Sequence, residues 1–123
     1  MNELTAKIRQ VEQDIAREKG PLNLLALLER EDLFDRWDFV VSASWAKHDG
    51  PTFRYLADTI KRHLTPAEMT RLARMVILDA GEDPVKAITE SYPGVDEPVE
   101  LNNPERFDLP AKHGYIITSR SAA

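Results

Sequence analysis

The hydrophobic positions of this chain change their spacing several times, and each spacing predicts a different element. Near the start they recur every three or four residues, at Leu4, Ile8, Val11 and Ile15. This is the spacing of one apolar stripe along a helix, and Gly20-Pro21 predicts its end, so we expect a helix within residues 1–20. We expect the stripe to pack against the protein's own sheet, with a dimeric coiled coil as the alternative.

The segment from residue 22 to residue 45 carries the spacing of strands. Residues 22–28 are apolar on both faces, which suits a central strand covered on both sides or one whose second face meets another chain. Residues 36–45 instead alternate, and one face would hold Trp37, Phe39, Val41, Ala43 and Trp45. A charged segment, residues 29–36, joins the two runs. We therefore predict a hairpin at the centre of the fold, with Trp37 in the core.

The middle of the chain predicts two helices and a strand. Asp49-Gly50-Pro51 breaks the hairpin pattern, and apolar positions within residues 53–64 then follow helical spacing. Thr65-Pro66-Ala67-Glu68 has the signature of a capping box with proline at the first helical position, so a second helix should begin there. Residues 74–79 predict a short buried strand.

The last third of the chain predicts one more helix and two strands. Asp83-Pro84 marks the start of a short helix, and residues 99–101 and 114–118 have the composition of strands. Residues 119–123 are expected to be a frayed tail. The predicted fold is one α+β domain in the order α-β-β-α-α-β-α-β-β, with a mostly antiparallel sheet, a mixed sheet being left open. We expect helices on at least one face, and the opposite face is a candidate surface for a homodimer.

Composition narrows the classes of function. The 123 residues include 21 acidic and 16 basic side chains, and this net charge of -5 opposes binding to nucleic acid. The chain has no cysteine, which excludes disulfides, thiolate zinc sites and a cysteine nucleophile. Apolar runs stay well below the roughly 20 residues that span a bilayer. We predict a cytoplasmic protein that binds neither nucleic acid nor membranes.

Several segments resemble a group of small uncharacterised bacterial proteins. The similarity is carried by Leu27-Leu28-Glu29-Arg30-Glu31-Asp32, by Trp37-Asp38-Phe39-Val40-Val41-Ser42-Ala43 and Trp45, by Arg74-Met75-Val76-Ile77-Leu78-Asp79, and by Tyr115-Ile116-Ile117. It would extend over most of the chain from about Gly20 onward. The resemblance implies a shared fold and carries no activity, cofactor or catalytic residue.

The charged segment is the main candidate for chemistry. Its acids and the next one along the chain could hold a divalent cation if two or three of them converged: Glu29, Glu31, Asp32, Asp35 and Asp38. The spacing does not enforce such convergence, and Arg30 and Arg36 alternate with the acids as they would in a solvated turn. The three histidines show no paired spacing typical of a metal site. We therefore expect no metal and no cofactor.

The function that these patterns favour is a non-enzymatic interaction protein, regulatory or immunity-like. Its partner would be basic, steered by an interaction surface made of Glu31, Asp32, Asp35 and Arg36, with Trp45 as an anchor if exposed. The alternative is a small metal-dependent hydrolase or nuclease-like enzyme that uses the same carboxylates. That alternative predicts a cleft where they meet Asp79, Glu82 or Asp83. A third class is a ligand-binding domain with a pocket between helices and sheet.

Overall fold

A computed structural model describes residues 2–107, 109 and 111–120, with the side chain of residue 2 left out. Its helices are α1 (Asn2–Lys19), α2 (Gly50–Lys61), α3 (Pro66–Met69) and α4 (Asp83–Ser91), and Pro104–Phe107 form a 3₁₀ turn. Its strands are β1 (Leu24–Arg30), β2 (Trp37–Ser42), β3 (Leu72–Ile77), β4 (Gly94–Val95), β5 (Val99–Leu101) and β6 (Ala111–Arg120). This α+β domain matches the predicted order apart from β4 and the 3₁₀ turn.

The six strands form one mixed sheet with the predicted hairpin at its centre. The order is β3-β2-β1-β6, and β4 and β5 both pair with the far edge of β6. β1 and β2 are antiparallel, in a register that runs from Leu24 opposite Ser42 to Glu29 opposite Trp37. β2 and β3 are parallel and are joined by a crossover through α2 and α3. The sheet is therefore mostly antiparallel, as the sequence predicts, with one parallel pair.

The first face of the sheet is covered by α1 and α2. All four side chains of the predicted apolar stripe on α1 are fully buried in one cluster with Leu25, Trp37, Phe39 and Leu56. The coiled-coil alternative for α1 is therefore wrong, because the stripe has no exposed surface left for a second helix. Gly20 follows α1 with φ of 107°, the left-handed conformation that favours glycine at the end of a helix.

The second face is covered by α4 and the segment around the 3₁₀ turn. Val40 of β2 and Ile116 of β6 pack there against Ile88 and Phe107. Asp38 and Ser42 on this face of β2 are also buried, so the expected alternation of a buried and a solvated face is wrong for β2. The expectation that this face is open to a second chain is wrong for the same reason, since α4 and the 3₁₀ turn already occupy it.

The ends of the elements follow local capping rules, with two differences from prediction. Thr65 and Glu68 form the predicted capping box, but α3 is only a single turn. Ser119 and Arg120 belong to β6, where they pair with β4, rather than to a frayed tail; residues 121–123 lie outside the described part of the chain. Within the residues described, no helix is both long and apolar enough to cross a membrane.

Candidate functional site

The β1–β2 connection presents the most exposed large apolar side chain of the described residues. Phe34 is 86% exposed and its neighbour Leu33 is 46% exposed. Val99 on β5, at 37%, is the next comparable case among the described residues. Single exposed apolar residues are common, whereas two adjacent ones at the tip of a hairpin form a small apolar projection. We call residues 31–36 the hairpin surface.

Hydrogen bonds join the two ends of this connection. The backbone N–H of Arg30 donates to the carbonyl oxygen of Arg36 at 2.9 Å and closes the loop. The backbone N–H of Asp35 donates to Oε2 of Glu29 at 3.0 Å. Asp35 has φ of 52°, a left-handed conformation that aspartate tolerates better than most residues. The exposed side chains are therefore carried by an ordered turn.

Asp35 is the main anchor of the connection. Its Oδ1 accepts hydrogen bonds from Nε1 of Trp37 and from Nη2 of Arg71, each at 2.9 Å. These donors, the Arg71 guanidinium foremost, lower the pKa of the Asp35 carboxyl below its ordinary value. Arg71 lies 36 residues further along the chain, so this bond fixes the connection to the segment that leads into β3. The Asp35 carboxylate thus holds the fold together at this point.

Asp32 is likewise engaged within the chain. Arg30 donates from Nε to Oδ1 of Asp32 at 2.9 Å and from Nη2 to Oδ2 at 3.1 Å, a two-pronged contact. The hydrogen bonds from Arg30 lower the pKa of Asp32. Two of the three acids predicted to steer a basic partner are therefore neutralised by arginines of the same chain. Glu31 and Arg36 are exposed on the hairpin surface, and their role in binding a partner stays a prediction.

A cluster of aromatic rings lies beside the start of β2 on the first face of the sheet. His113 of β6 contacts Trp37 edge-on, with ring centroids 5.6 Å apart, and Tyr115 at 5.0 Å. His113 Nε2 lies 3.1 Å from Oε1 of Glu100 on β5. Lys112 is the residue before His113, and its Nζ lies 5.9 Å from the centroid of the Phe34 ring. The Phe34 ring therefore projects beside a basic side chain.

A shallow polar cleft lies beside the connection on the second face. It has a volume of about 220 Å³ and is lined by Arg30, Glu31, Asp32, Asp38 and Arg74. Nε of Arg74 donates to Oδ2 of Asp38 at 3.1 Å, and Arg30 Nη1 lies 3.7 Å from the other oxygen. Small-molecule sites usually span about 300–1,000 Å³. The volume of this cleft is below that range, and most of its charged side chains are already paired with one another.

Trp45 lies apart from the other predicted interaction residues. β2 separates it from the β1–β2 connection, because that connection precedes Trp37 while Trp45 follows the far end of the strand. Its ring is half-buried and meets Tyr55 edge-on, with centroids 6.1 Å apart. Trp45 and the hairpin surface therefore do not form one continuous site.

The acids predicted for a metal enzyme are also kept apart. β3 runs parallel to β2, so Asp79, Glu82 and Asp83 follow the end of the sheet opposite the β1–β2 connection. Across the part of the chain that the structure describes, no group of three or more metal-ligating side chains could hold an ion. Of the three histidines, His63 contacts an acid of α1, with its Nε2 2.6 Å from Oδ2 of Asp14. The cleft that the enzyme alternative requires is not formed.

Sequence reasoning identified the connection but missed its most prominent side chains. Leu33 and Phe34 are two adjacent apolar residues within a run of charged ones, a pattern visible in the sequence. Apolar side chains are not expected in a turn that is only solvated. Their presence in the charged segment was the sequence signal for an apolar binding surface. The sequence also gave no indication of Arg71, because its contact with Asp35 depends on the parallel placement of β3 beside β2.

Comparison with known proteins adds no further constraint. No protein-family model matches this chain, and neither a curated protein nor a solved structure matches it. The resemblance to small bacterial proteins stays a prediction.

Proposed function

We propose that this protein is a non-enzymatic interaction module, regulatory or immunity-like, that binds a partner protein through its hairpin surface, with Phe34 as the anchor. The observation that carries the proposal is the 86% exposure of Phe34 on a turn held by hydrogen bonds. Aromatic side chains of this kind dominate the binding energy of protein interfaces when a partner encloses them. An ordered turn reduces the entropy that binding would otherwise cost.

The surroundings of Phe34 indicate the chemistry of the partner surface. An apolar pocket would receive the Phe34 ring and the Leu33 side chain, and a polar rim would face Glu31, Arg36 and Lys112. A basic partner remains a prediction that the net charge of -5 supports. Asp32 and Asp35 are paired with Arg30 and Arg71 of the same chain, so their charges attract a basic partner only weakly. Location in the cytoplasm is likewise part of this proposal.

Affinity capture with variants tests the proposal. Tagged protein would be incubated with a lysate of its source organism, and bound proteins quantified by mass spectrometry for the natural chain, Phe34→Ala and Val99→Ala. Val99 is the matched control, because it is an exposed apolar residue outside the hairpin surface. Withdrawing the Phe34 ring from a partner pocket should cost about 2 kcal/mol, or roughly thirtyfold in Kd. A true partner is therefore retained by Val99→Ala and largely lost with Phe34→Ala.

Two further measurements complete the test. Calorimetry with the purified partner should reproduce the roughly thirtyfold ratio of Kd between the natural chain and Phe34→Ala. Capture at high salt reports on charge steering, since an apolar anchor is insensitive to screening whereas an acidic surface is not. A partner bound equally well by natural chain and Phe34→Ala would remove the hairpin surface as the binding site.

A further inference from the structure

The outer edge of β3 is an open strand edge. β3 ends the strand order, and within the described residues no strand pairs with its far side. The N–H of Leu78 donates to the carbonyl oxygen of Val41 at 2.9 Å, so residue 78 and alternate residues before it direct their backbone groups toward β2. By this alternation Met75 and Ile77 direct theirs outward. An irregularity in register near Leu72 limits the regular part of the edge to its second half.

An apolar groove accompanies this edge on the first face of the sheet. It has a volume of about 190 Å³, and its walls are Ala57 and Ile60 of α2, Met69 of α3, and residues 72–75 of β3. Strand edges with apolar side chains and unpaired backbone groups favour pairing with another strand. Residues 75–78 read Met-Val-Ile-Leu, so this part of the edge carries no charge that would oppose such pairing.

The charges at the two ends of β3 indicate which strand could pair with its open edge, and in which direction. The C-terminal end of the strand leads into exposed Asp79, Glu82 and Asp83. Near its other end, the Arg74 side chain is 58% exposed and uses Nε for its hydrogen bond to Asp38. Antiparallel pairing of two β3 strands separates the two acidic ends and brings each one near an arginine. Parallel pairing would place the acidic ends side by side.

We propose that a second copy of this chain docks on the β3 edge, with the two β3 strands antiparallel about a two-fold axis. In the register we propose, the backbone N–H and C=O groups of Met75 in one copy both bond to Ile77 of the second copy. The two-fold axis generates the same pair between Ile77 of the first copy and Met75 of the second. Val76 lies on the axis, and Asp79 of each copy lies opposite Ala73 of the other, one residue from Arg74. The contact is isologous, so it closes at two chains. This inference does not depend on the hairpin surface.

Met75→Pro is the most direct test, because proline removes an outward N–H that the ladder to β2 does not use. Sedimentation velocity over a dilution series should show the natural chain as a dimer that dissociates on dilution. Met75→Pro should raise the dimer Kd roughly tenfold or more. Circular dichroism would establish that the variant keeps its secondary structure.

A charge pair provides a second test that does not perturb the strand. Asp79→Lys should also weaken the dimer, because it places a lysine beside Arg74 of the other copy. Glu97→Lys is the matched control, since it makes the same charge change between β4 and β5 at the opposite edge of the sheet. A monomer at all concentrations, a dimer unaffected by both Met75→Pro and Asp79→Lys, or open-ended assembly would overturn the proposal.

Discussion

Replacing Asp35 with alanine should destabilise the domain more than its half-exposed position suggests. The variant leaves the indole N–H of Trp37 without its acceptor, and Trp37 is only 2% exposed. An unsatisfied buried donor costs about 1–3 kcal/mol. The lost ion pair with Arg71 adds less, because about a third of the Asp35 side chain is exposed to solvent. Alanine also tolerates φ of 52° less well than aspartate. The free energy of unfolding should fall by about 2–3 kcal/mol.

Asp35→Asn is the matched control for this substitution. Asparagine keeps an oxygen acceptor for the Trp37 indole and tolerates the left-handed conformation, so only the charge is lost. Its cost should be about 0.5 kcal/mol. Urea unfolding followed by tryptophan fluorescence and far-ultraviolet circular dichroism measures both variants. An alanine variant as stable as the natural chain, or an asparagine variant as unstable as alanine, would refute the assigned role of the Trp37 hydrogen bond.

Two further predictions concern packing and pH. A Cβ added at Gly114 would lie 2.7 Å from Cδ2 of Leu28 and 2.9 Å from the carbonyl oxygen of Leu27. Gly114→Ala should therefore lower the free energy of unfolding, measured in urea, by about 1–3 kcal/mol. Gly81→Ala is the control and should leave it unchanged, because a Cβ there meets no atom within 4 Å. The pKa of the Asp14 carboxyl is lowered, first by its hydrogen bond to His63 and then by the one from Arg17. Asp14 therefore stabilises the fold at pH values above its unfolded pKa near 3.8. That contribution is lost as the pH falls through the lower pKa of the folded state. Urea midpoints from neutral to acidic pH should therefore decline less steeply for Asp14→Asn; parallel curves would contradict this.

Local patterns predicted most elements of this fold because each reflects interactions between near neighbours. The α1 stripe, the capping box of α3 and the hairpin at residues 22–45 all depend on spacings of a few residues, and all three are present. The functional surface was predicted only in part. The charged connection is where the sequence places it, but the roles of its acids depend on arginines that a local pattern cannot assign to them.

The sequence by itself determined the identity and approximate extent of the main helices and strands, because burial on a helix or strand repeats with a fixed period. The tertiary structure decided which ends of those elements meet. The parallel placement of β3 beside β2 brings Arg71 to Asp35 and carries Asp79 to the opposite end of the sheet. Likewise, only the packing of α4 and the 3₁₀ turn buries the second face of β2. Such pairings join residues far apart along the chain, and no local periodicity encodes them.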